Sequence, residues 1–538
     1  SGPESIRHEF DAKATMKDMW ETYLPAFEAL VTEADVESVM GAYNRTNGDP
    51  CCGHQYLMEE VLRGKWKFDG HFVSDCWAIK DFHENHKITK NARESAALAL
   101  KRGCDVNCGN TYLHLLGAVE DGLITEEDIT KSAERALTAR YLLGLFEGSE
   151  YDEIPYEKVE CKEHVEEALN IARKGCVLLK NDGVLPLDKS KIKTIGVVGP
   201  NADSRAALIG NYHGTSSRYI TVLEGIQDEV GEDVRVLYSQ GCHLYKDRVE
   251  NLAWEQDRIS EAVITAEHSD VVVICVGLDE TLEGEEGDTG NSDASGDKKD
   301  LHLPKVQEEL IEKVAAVGKP TIVVLMAGSA IDLNYAQENC NGILLAWYPG
   351  ARGGKAVADL LFGKTSPSGK LPVTFYKDLE GMPEFTDYTM KGRTYRYIEN
   401  EPLYPFGYGL TYGDVEVTSA KVLNQVTADS DIEVEVTVEN KGTRATEEVV
   451  QLYIKDLESP LAVRNHSLCG FRRVALEAGE KKNVTLTVAN RAMAVVDQAG
   501  ERHVDSRNFK IFAGISQPDE RSQELTGKKS AEINVTLG

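Results

Sequence analysis

The sequence predicts a multidomain α/β protein that ends in an all-β domain. Three observations carry this prediction. Strand and helix patterns alternate over the first 150 residues, four continuous apolar runs follow, and short runs of alternating polar and apolar residues fill the region after residue 426. Strands that alternate with helices are typical of parallel α/β units, and period-two runs are typical of half-buried strands. A chain of 538 residues is also too long for a single core.

The first region, residues 1–150, contains the alternation of strand and helix. Strand patterns occur at 36–44 (VESVMGAYN), at the centre of 68–77 (FDGHFVSDCW) and at 103–109 (GCDVNCG). A capping box at Thr125 marks the start of a well-defined helix. We therefore expect an α/β region built from parallel strands.

The second region, residues 166–375, follows an acidic linker at 151–165. Its apolar runs are continuous, which is typical of central strands buried on both faces. The runs are TIGVVGPNAD (194–203), DVVVICVGLDE (270–280), PTIVVLMAG (320–328) and NGILLAWYPG (341–350). We expect an α/β sandwich with a mostly parallel sheet.

The third region, residues 426–538, follows an ordered linker at 376–425 that is rich in Tyr, Gly and Pro. Its strands alternate with period two, as in DIEVEVTVEN, EEVVQLYIKD, KNVTLTVAN and FKIFAGIS. Short strands at this spacing predict a β-sandwich of the immunoglobulin or fibronectin type III kind.

The composition narrows the range of partners. Eighty-nine acids against 59 bases give a net charge of -30, which disfavours nucleic acid. No apolar run is long enough to span a bilayer, so we expect no membrane partner. The eleven cysteines are too few and too scattered for a disulfide scaffold, and we expect them to be mostly buried thiols. No Cys/His set has zinc-site spacing, and the first residues contain no apolar signal core.

Asp75 follows an apolar strand pattern directly, within VSDCW at 73–77. A carboxylate at the end of a buried strand is costly to bury unless its charge is used. One interpretation is that Asp75 caps the next helix, because Asp is a favoured N-cap residue. The other is that it acts on a ligand at the carboxyl end of the strand. The pattern alone leaves both open.

A second group of acids lies in the segment 277–304, which contains almost no apolar residue. Its glutamates are Glu280, Glu283, Glu285 and Glu286. Such a segment is a surface loop, and one interpretation is simply solvated acidic surface. However, it leaves the carboxyl end of a predicted parallel strand, where open α/β sheets bind ligands. Two carboxylates around a glycosidic bond are the usual machinery of sugar hydrolysis.

Seven motifs in order along the chain resemble glycoside hydrolase family 3, which includes β-glucosidases and β-xylosidases. They are RHEFDA (7–12), VMGAYNRTNGDP (39–50), FDGHFVSDCW (68–77), VLLKNDGVLPL (177–187), GNYHG (210–214), SPSGKLPVTF (366–375) and PLYPFGYGLTY (402–412). The resemblance implies that residues 1–150 are the C-terminal part of a (β/α)8-type catalytic barrel. With about three strands present, we expect roughly five βα units to be missing. The chain would then be the C-terminal part of a longer polypeptide.

The resemblance also implies roles for particular residues. The aspartate of the family's Ser-Asp motif, which is the nucleophile, falls on Asp75. Tyr43 matches the tyrosine whose hydroxyl contacts that nucleophile. The acid/base glutamate stands three residues before an Asp-Arg pair, which favours Glu285, although Thr289 replaces the arginine here. Glu283 is the second choice.

Cysteine after the nucleophile resembles the xylosidase side of the family. The next residue, Trp77, either stacks on a sugar or packs into the core. The resemblance implies a retaining exo-acting β-glycosidase that removes terminal xylose or glucose without metal or cofactor. Retention requires two carboxyl groups about 5–5.5 Å apart. The expected partners are an oligosaccharide or glycoside substrate and either a homo-oligomer or a companion N-terminal segment. A non-catalytic carbohydrate-binding homologue and a glycoside phosphorylase are the alternatives.

Overall fold

The computed structural model of the chain describes residues 2–292 and 294–538, which divide into two compact units. Each unit is assembled from separate stretches of sequence. The first consists of Ser1–Lys158, Pro383–Lys391 and Val496–His503, and the second consists of Val159–Met382, Gly392–Val495 and Val504–Gly538. No helix in the described part of the chain is both long and apolar enough to cross a membrane.

The first unit is mainly helical and contains a short parallel sheet. Strand β1 (Ser38–Gly41) pairs in parallel with strand β2 (His71–Ser74), and Val106 forms a single parallel bridge to Val73 on β2. Apart from short 3₁₀ segments, the helices are Met16–Asp18, Met19–Tyr23, α1 (Pro25–Thr32), α2 (Gln55–Lys65), α3 (Ala78–Glu84), α4 (Ala92–Lys101), Leu115–Glu120 and α5 (Glu126–Leu142). Three two-residue strands, Asp11–Ala12, Arg45–Thr46 and Asp49–Pro50, form a second small sheet.

The three strand positions predicted in this region are therefore neighbours and run in the same direction. The third one, at 103–109, is reduced to one bridge. The reason is that the amides of Asp105 and Val106 both donate to the carbonyl of Phe72, while the Asp105 side chain accepts the amide of Phe72. The Asp105 carboxylate thus takes the place of a main-chain carbonyl as the acceptor of the Phe72 amide.

Asp105 is also the buried ionic centre of the first unit. Its Oδ2 accepts from Arg63 at 2.9 Å and from the Phe72 amide at 3.0 Å. Its Oδ1 accepts from Ser132 at 2.7 Å and from Arg135 at 3.0 Å. One side chain therefore joins α2, β2 and α5.

Replacing Asp105 with alanine should destabilise the first unit by about 3–5 kcal/mol, because two partly buried arginines would lose their counter-charge. Thermal unfolding would measure the loss of stability, and amide exchange in the peptides around Phe72 would locate it. The matched control is Asp121→Ala, which breaks an exposed ion pair with Arg93. That change should cost less than about 1 kcal/mol. Equal effects of the two substitutions would contradict the assignment of Asp105 as the ionic centre.

The second unit contains a six-stranded sheet in the order β3-β8-β7-β6-β4-β5. Its strands are β3 (Val177–Asn181), β4 (Thr194–Val198), β5 (Arg235–Ser239), β6 (Val271–Gly277), β7 (Thr321–Met326) and β8 (Gly342–Leu345). All neighbours are parallel except β3, which pairs antiparallel with β8. The helices of this sheet region are α6 (Lys162–Gly175), Ala206–Ile209, α7 (Val222–Val230), α8 (Asp257–Glu267), α9 (Lys305–Ala315), Asn334–Asn339 and α10 (Gly353–Leu361), and Thr394–Tyr397 follows it in sequence.

Both faces of this sheet are buried, which explains the continuous apolar runs. Val272, Ile274 and Val276 of β6 belong to one core cluster, and Val273 and Cys275 belong to the cluster on the opposite face. The four predicted central strands are β4, β6, β7 and β8. The two edge strands, β3 and β5, complete the sheet.

A seven-stranded β-sandwich follows in the second unit. One sheet has the order β9-β10-β13 and the other has the order β12-β11-β14-β15. The strands are β9 (Val415–Val422), β10 (Ile432–Asn440), β11 (Thr446–Asp456), β12 (Ser467–Leu476), β13 (Lys481–Val488), β14 (Asn508–Gly514) and β15 (Ala531–Thr536). The short strands Val495–Val496 and Arg502–His503 and the helix α11 (Glu520–Thr526) also occur in this part of the sequence. Strand β9 lies inside the stretch predicted as a linker.

Candidate active site

Asp75 lies between the end of β2 and the start of α3, at the carboxyl edge of the parallel strands. Its amide donates to the carbonyl of Gly41 at 3.0 Å, and its own carbonyl accepts from Ala78 at 3.2 Å. The carboxylate Oδ1 accepts the amide of Cys76 at 2.8 Å. The N-cap residue of α3 is Trp77, and no side chain caps that helix. The interpretation of Asp75 as a helix cap is therefore wrong, because the chain makes a turn between the aspartate and the helix.

This turn is joined to the neighbouring strand end by a disulfide between Cys76 and Cys108. The amide of Trp77 also donates to the carbonyl of Cys108 at 2.7 Å, and Ser74 Oγ accepts the amide of Cys108 at 3.1 Å. The expectation of buried thiols is wrong for these two cysteines. The carboxyl ends of neighbouring parallel strands meet at one edge, and this brings two residues 32 positions apart into contact. That geometry is the signal that would have predicted the pair.

Trp77 is 50% exposed, so the interpretation of it as a core residue is wrong. Its backbone has a φ of 70°, and the turn leaves the indole outside the core that Ile79 and Phe82 help to form. The indole is thus available to a ligand on the same turn as Asp75.

Tyr43 is buried and lies two residues after the end of β1, near the same edge. The His8 ring packs against it edge to face, with 4.7 Å between ring centroids, and the Arg7 guanidinium lies 4.4 Å from the centre of the tyrosine ring. His8 Nδ1 is 2.8 Å from Asp81 Oδ2 on α3. No sequence pattern indicates that His8 lies between Tyr43 and Asp81, although His8 belongs to the motif RHEFDA.

In the second unit, the candidate residues lie where the strand order of the sheet reverses. From β4 the chain moves outward to β5, and it then returns to the other side of β4 as β6. Such a reversal opens a crevice between the loops that follow the two inner strands. These loops touch each other here: Asn211 donates to Asp288 at 3.3 Å, and His213 Nε2 is 3.1 Å from Glu280 Oε2.

Glu283 is anchored to the edge of the sheet. Its Oε2 accepts the amide of Gly328, after β7, and the hydroxyl of Tyr348, after β8, both at 2.7 Å. Burial and the nearby Glu283 charge raise the pKa of Tyr348 well above the ordinary value. The tyrosine therefore stays protonated and donates to the carboxylate. Glu283 thus ties the acidic loop to two neighbouring strands.

Glu285 begins a tight turn in the same loop. Its carbonyl accepts the amides of Asp288 at 3.1 Å and Thr289 at 3.3 Å, and the Thr289 hydroxyl donates to it at 3.3 Å. Thr289 is buried, so the residue that replaces the family's arginine closes the turn from inside. The Glu285 side chain is half-buried.

Tyr212 is a further residue that the sequence reasoning did not single out. It lies on the loop that contacts the acidic loop, it is 82% exposed, and its backbone has a φ of 56°. Its position within GNYHG, between two residues that contact the acidic loop, was the available signal. Among the described residues, no group of three or more His, Cys, Asp or Glu side chains is arranged to hold a metal ion.

The chain matches three family models in order. Residues 4–139 match the glycosyl hydrolase family 3 N-terminal domain, residues 176–412 match the glycosyl hydrolase family 3 C-terminal domain, and residues 448–517 match a fibronectin type III-like domain. These matches indicate a glycosyl hydrolase with an appended fibronectin type III-like domain.

A xylan 1,4-beta-xylosidase of Xylanibacter ruminicola is 31% identical to this chain over 98% of the chain and 77% of the relative. A beta-xylosidase of Formosa agariphila is 36% identical over 94% of the chain and 72% of the relative. Among solved structures, a β-glucosidase from Erythrobacter marinus superposes with a TM-score of 0.86 at 32% identity, covering 99% of this chain and 72% of that one.

The chain belongs to glycosyl hydrolase family 3. The predicted family, the multidomain α/β plus β fold class and the activity class, hydrolysis of O-glycosyl bonds, are confirmed.

Proposed function

We propose that this protein is a retaining, exo-acting β-glycosidase that removes terminal β-linked xylose or glucose from oligosaccharides or glycosides by double displacement. The observation that carries the proposal is the placement of Asp75. Its carboxylate caps no helix, and it stands at the carboxyl edge of the parallel strands, which is where barrel enzymes place their catalytic groups.

Asp75 is the nucleophile in this proposal. In the first step it attacks the anomeric carbon, and the bond to the leaving-group oxygen breaks. In the second step water attacks the same carbon and releases Asp75, so the configuration is retained. The Cys76 amide, which donates to Oδ1, holds the carboxylate in one orientation. Tyr43 is the proposed hydroxyl partner of Asp75, and Trp77 is the proposed surface for a sugar ring.

Glu285 is the acid/base in this proposal. A general acid must move a proton to the leaving-group oxygen and later take one from water. Glu283 is poorly suited to this work, because its Oε2 already accepts two hydrogen bonds that fasten the loop. Glu285 stands on a turn that its main-chain carbonyl closes by accepting the amides of Asp288 and Thr289. The two hydrogen bonds that engage Glu283 therefore support Glu285 as the acid/base.

Xylose and glucose both remain in the proposal, because the relatives include β-xylosidases and β-glucosidases. Cys76 beside the nucleophile favours the xylosidase side. A homo-oligomer and a companion segment that supplies further barrel strands are the two proposed protein partners, and light scattering on the purified chain, with and without such a segment, distinguishes them.

A panel of nitrophenyl glycosides tests the activity. We expect release of nitrophenol from the β-D-xyloside or the β-D-glucoside and none from the matched α-anomers, with the β-anomer of the free sugar appearing first by NMR. The reaction is run with and without inorganic phosphate. An α-anomer as first product would contradict retention. A requirement for phosphate would indicate a phosphorylase, and binding of the sugar without turnover of any β-glycoside would indicate a non-catalytic homologue.

A further inference from the structure

The disulfide beside Asp75 is open to solvent. Cys76 is exposed and Cys108 is half-buried. Their Cα atoms are 4.4 Å apart, and the other nine cysteines of the chain are free thiols. Because Cys76 directly follows Asp75, a soluble reductant has access to a covalent bond one residue from the proposed nucleophile.

The turn that the disulfide holds has an unfavourable backbone conformation. Trp77 has a φ of 70°, in the left-handed region that side chains other than glycine seldom adopt. Such a conformation persists only when the surroundings fix it. Here Cys108 fixes it twice, through the disulfide to Cys76 and through its carbonyl, which accepts the Trp77 amide at 2.7 Å.

The turn acts on Asp75 through two hydrogen bonds, one to its main-chain carbonyl, which accepts from Ala78 at 3.2 Å, and one to its side chain. The nitrogen of Asp75 is held by the carbonyl of Gly41, which does not involve the disulfide. The side chain instead accepts the amide of Cys76 at 2.8 Å. The Cys76 amide shares one peptide plane with the Asp75 carbonyl. Loosening of the turn should therefore rotate this plane and move the Cys76 amide away from the carboxylate, while the Asp75 nitrogen stays bonded to Gly41.

We propose that the Cys76–Cys108 disulfide is a positioning element for Asp75, so that its reduction slows attack by that carboxylate. The proposal rests on the proposed function, in which Asp75 is the nucleophile. A dithiol such as dithiothreitol supplies two electrons and two protons: the sulfur–sulfur bond breaks, Cys76 and Cys108 become thiols, and the dithiol becomes a cyclic disulfide.

The test compares the oxidised and the reduced protein. Alkylation and mass spectrometry should show two additional thiols after reduction. The rate of covalent trapping by a 2-deoxy-2-fluoro glycoside, which reports attack by the nucleophile alone, should fall about tenfold, because small misplacements of reacting groups have effects of this order or larger. We expect kcat to fall in parallel and KM to change little. Equal trapping rates in the two forms would overturn the proposal, whereas no trapping in either form would mean that the proposed function itself has failed.

Two variants separate positioning from other effects of reductant. Cys76→Ser with Cys108→Ser should trap at the rate of the reduced protein and should no longer respond to dithiothreitol. Cys161 is a free, half-buried cysteine of the second unit, and the Cys161→Ser variant should lose trapping rate on reduction as the parent does. A double variant that still responds would overturn the proposal.

Amide exchange distinguishes local loosening of the turn from unfolding of the first unit. On reduction, exchange should rise at residues 76–78 and stay unchanged at 38–41, in strand β1. A rise in both segments would show that the sheet has opened, and it would overturn a local positioning role.

Discussion

Asp75→Asn should lower kcat on aryl β-glycosides by about 10⁴-fold or more, because an amide cannot attack the anomeric carbon and single losses of a catalytic nucleophile have effects of this size. The substitution keeps the shape of the side chain and its oxygen acceptor for the Cys76 amide. It therefore tests the charge and the nucleophilicity of the group rather than the stability of the turn. Steady-state rates measure the loss, and thermal unfolding should differ little from the parent.

The same experiment has a structural counterpart. A 2-deoxy-2-fluoro glycoside with a good leaving group should leave a covalent adduct on the peptide 68–80. Asp69→Asn is the matched control, because Asp69 is an exposed residue in the turn before β2 and should retain full activity. An adduct on another peptide, together with an active Asp75→Asn variant, would contradict the assignment of Asp75 as the nucleophile.

Glu285→Ala should give the second large effect, and its size should depend on the substrate. A general acid contributes about 10²–10⁴-fold. Glycosides with alkyl or sugar leaving groups need the proton and should lose this full factor in kcat/KM. Dinitrophenyl glycosides, which leave without protonation, should lose far less. Added azide should replace the base-activated water and give a β-glycosyl azide, which NMR identifies.

Glu283→Ala is the control for this experiment, and its expected result differs in kind. Removing this carboxylate leaves the Gly328 amide and the hydroxyl of the half-buried Tyr348 without their acceptor. We expect a loss of stability of about 1–3 kcal/mol and greater exchange in the acidic loop. We expect no dependence on leaving group and no rescue by azide. If Glu283→Ala shows azide rescue and Glu285→Ala does not, the acid/base assignment is wrong by two residues.

The sequence predicted the sheet of the second unit well, for a physical reason. Strands buried on both faces must be apolar at every position, so β4, β6, β7 and β8 stand out as continuous runs. The edge strands β3 and β5 lack such a run. Arg235 and Tyr238 of β5 are exposed, and β3 ends in the half-buried Lys180 and Asn181.

The candidate site was predictable in part. The strand pattern before Asp75 and the composition of the acidic loop indicate the two segments that contain candidate carboxylates, because both patterns are local in sequence. The choice of Asp75 and Glu285 within them depends on the family resemblance. The disulfide, the exposure of Trp77 and the anchoring of Glu283 depend on which strand ends meet at an edge. Their partners, such as Cys108 and Tyr348, are far away in sequence, and no local pattern connects them.

The reversal of strand order between β4 and β6 also has a consequence for the evolution of substrate range. Both loops leave a strand of a fully hydrogen-bonded sheet and lead to a helix, so residues can be inserted or removed in the exposed part of either loop at little cost to the sheet. Descendants of such a chain are free to lengthen one wall of the crevice, shorten the other, or exchange Tyr212 for another ring, one change at a time. The adaptable part of the molecule is thus kept apart from the part that must be conserved for folding.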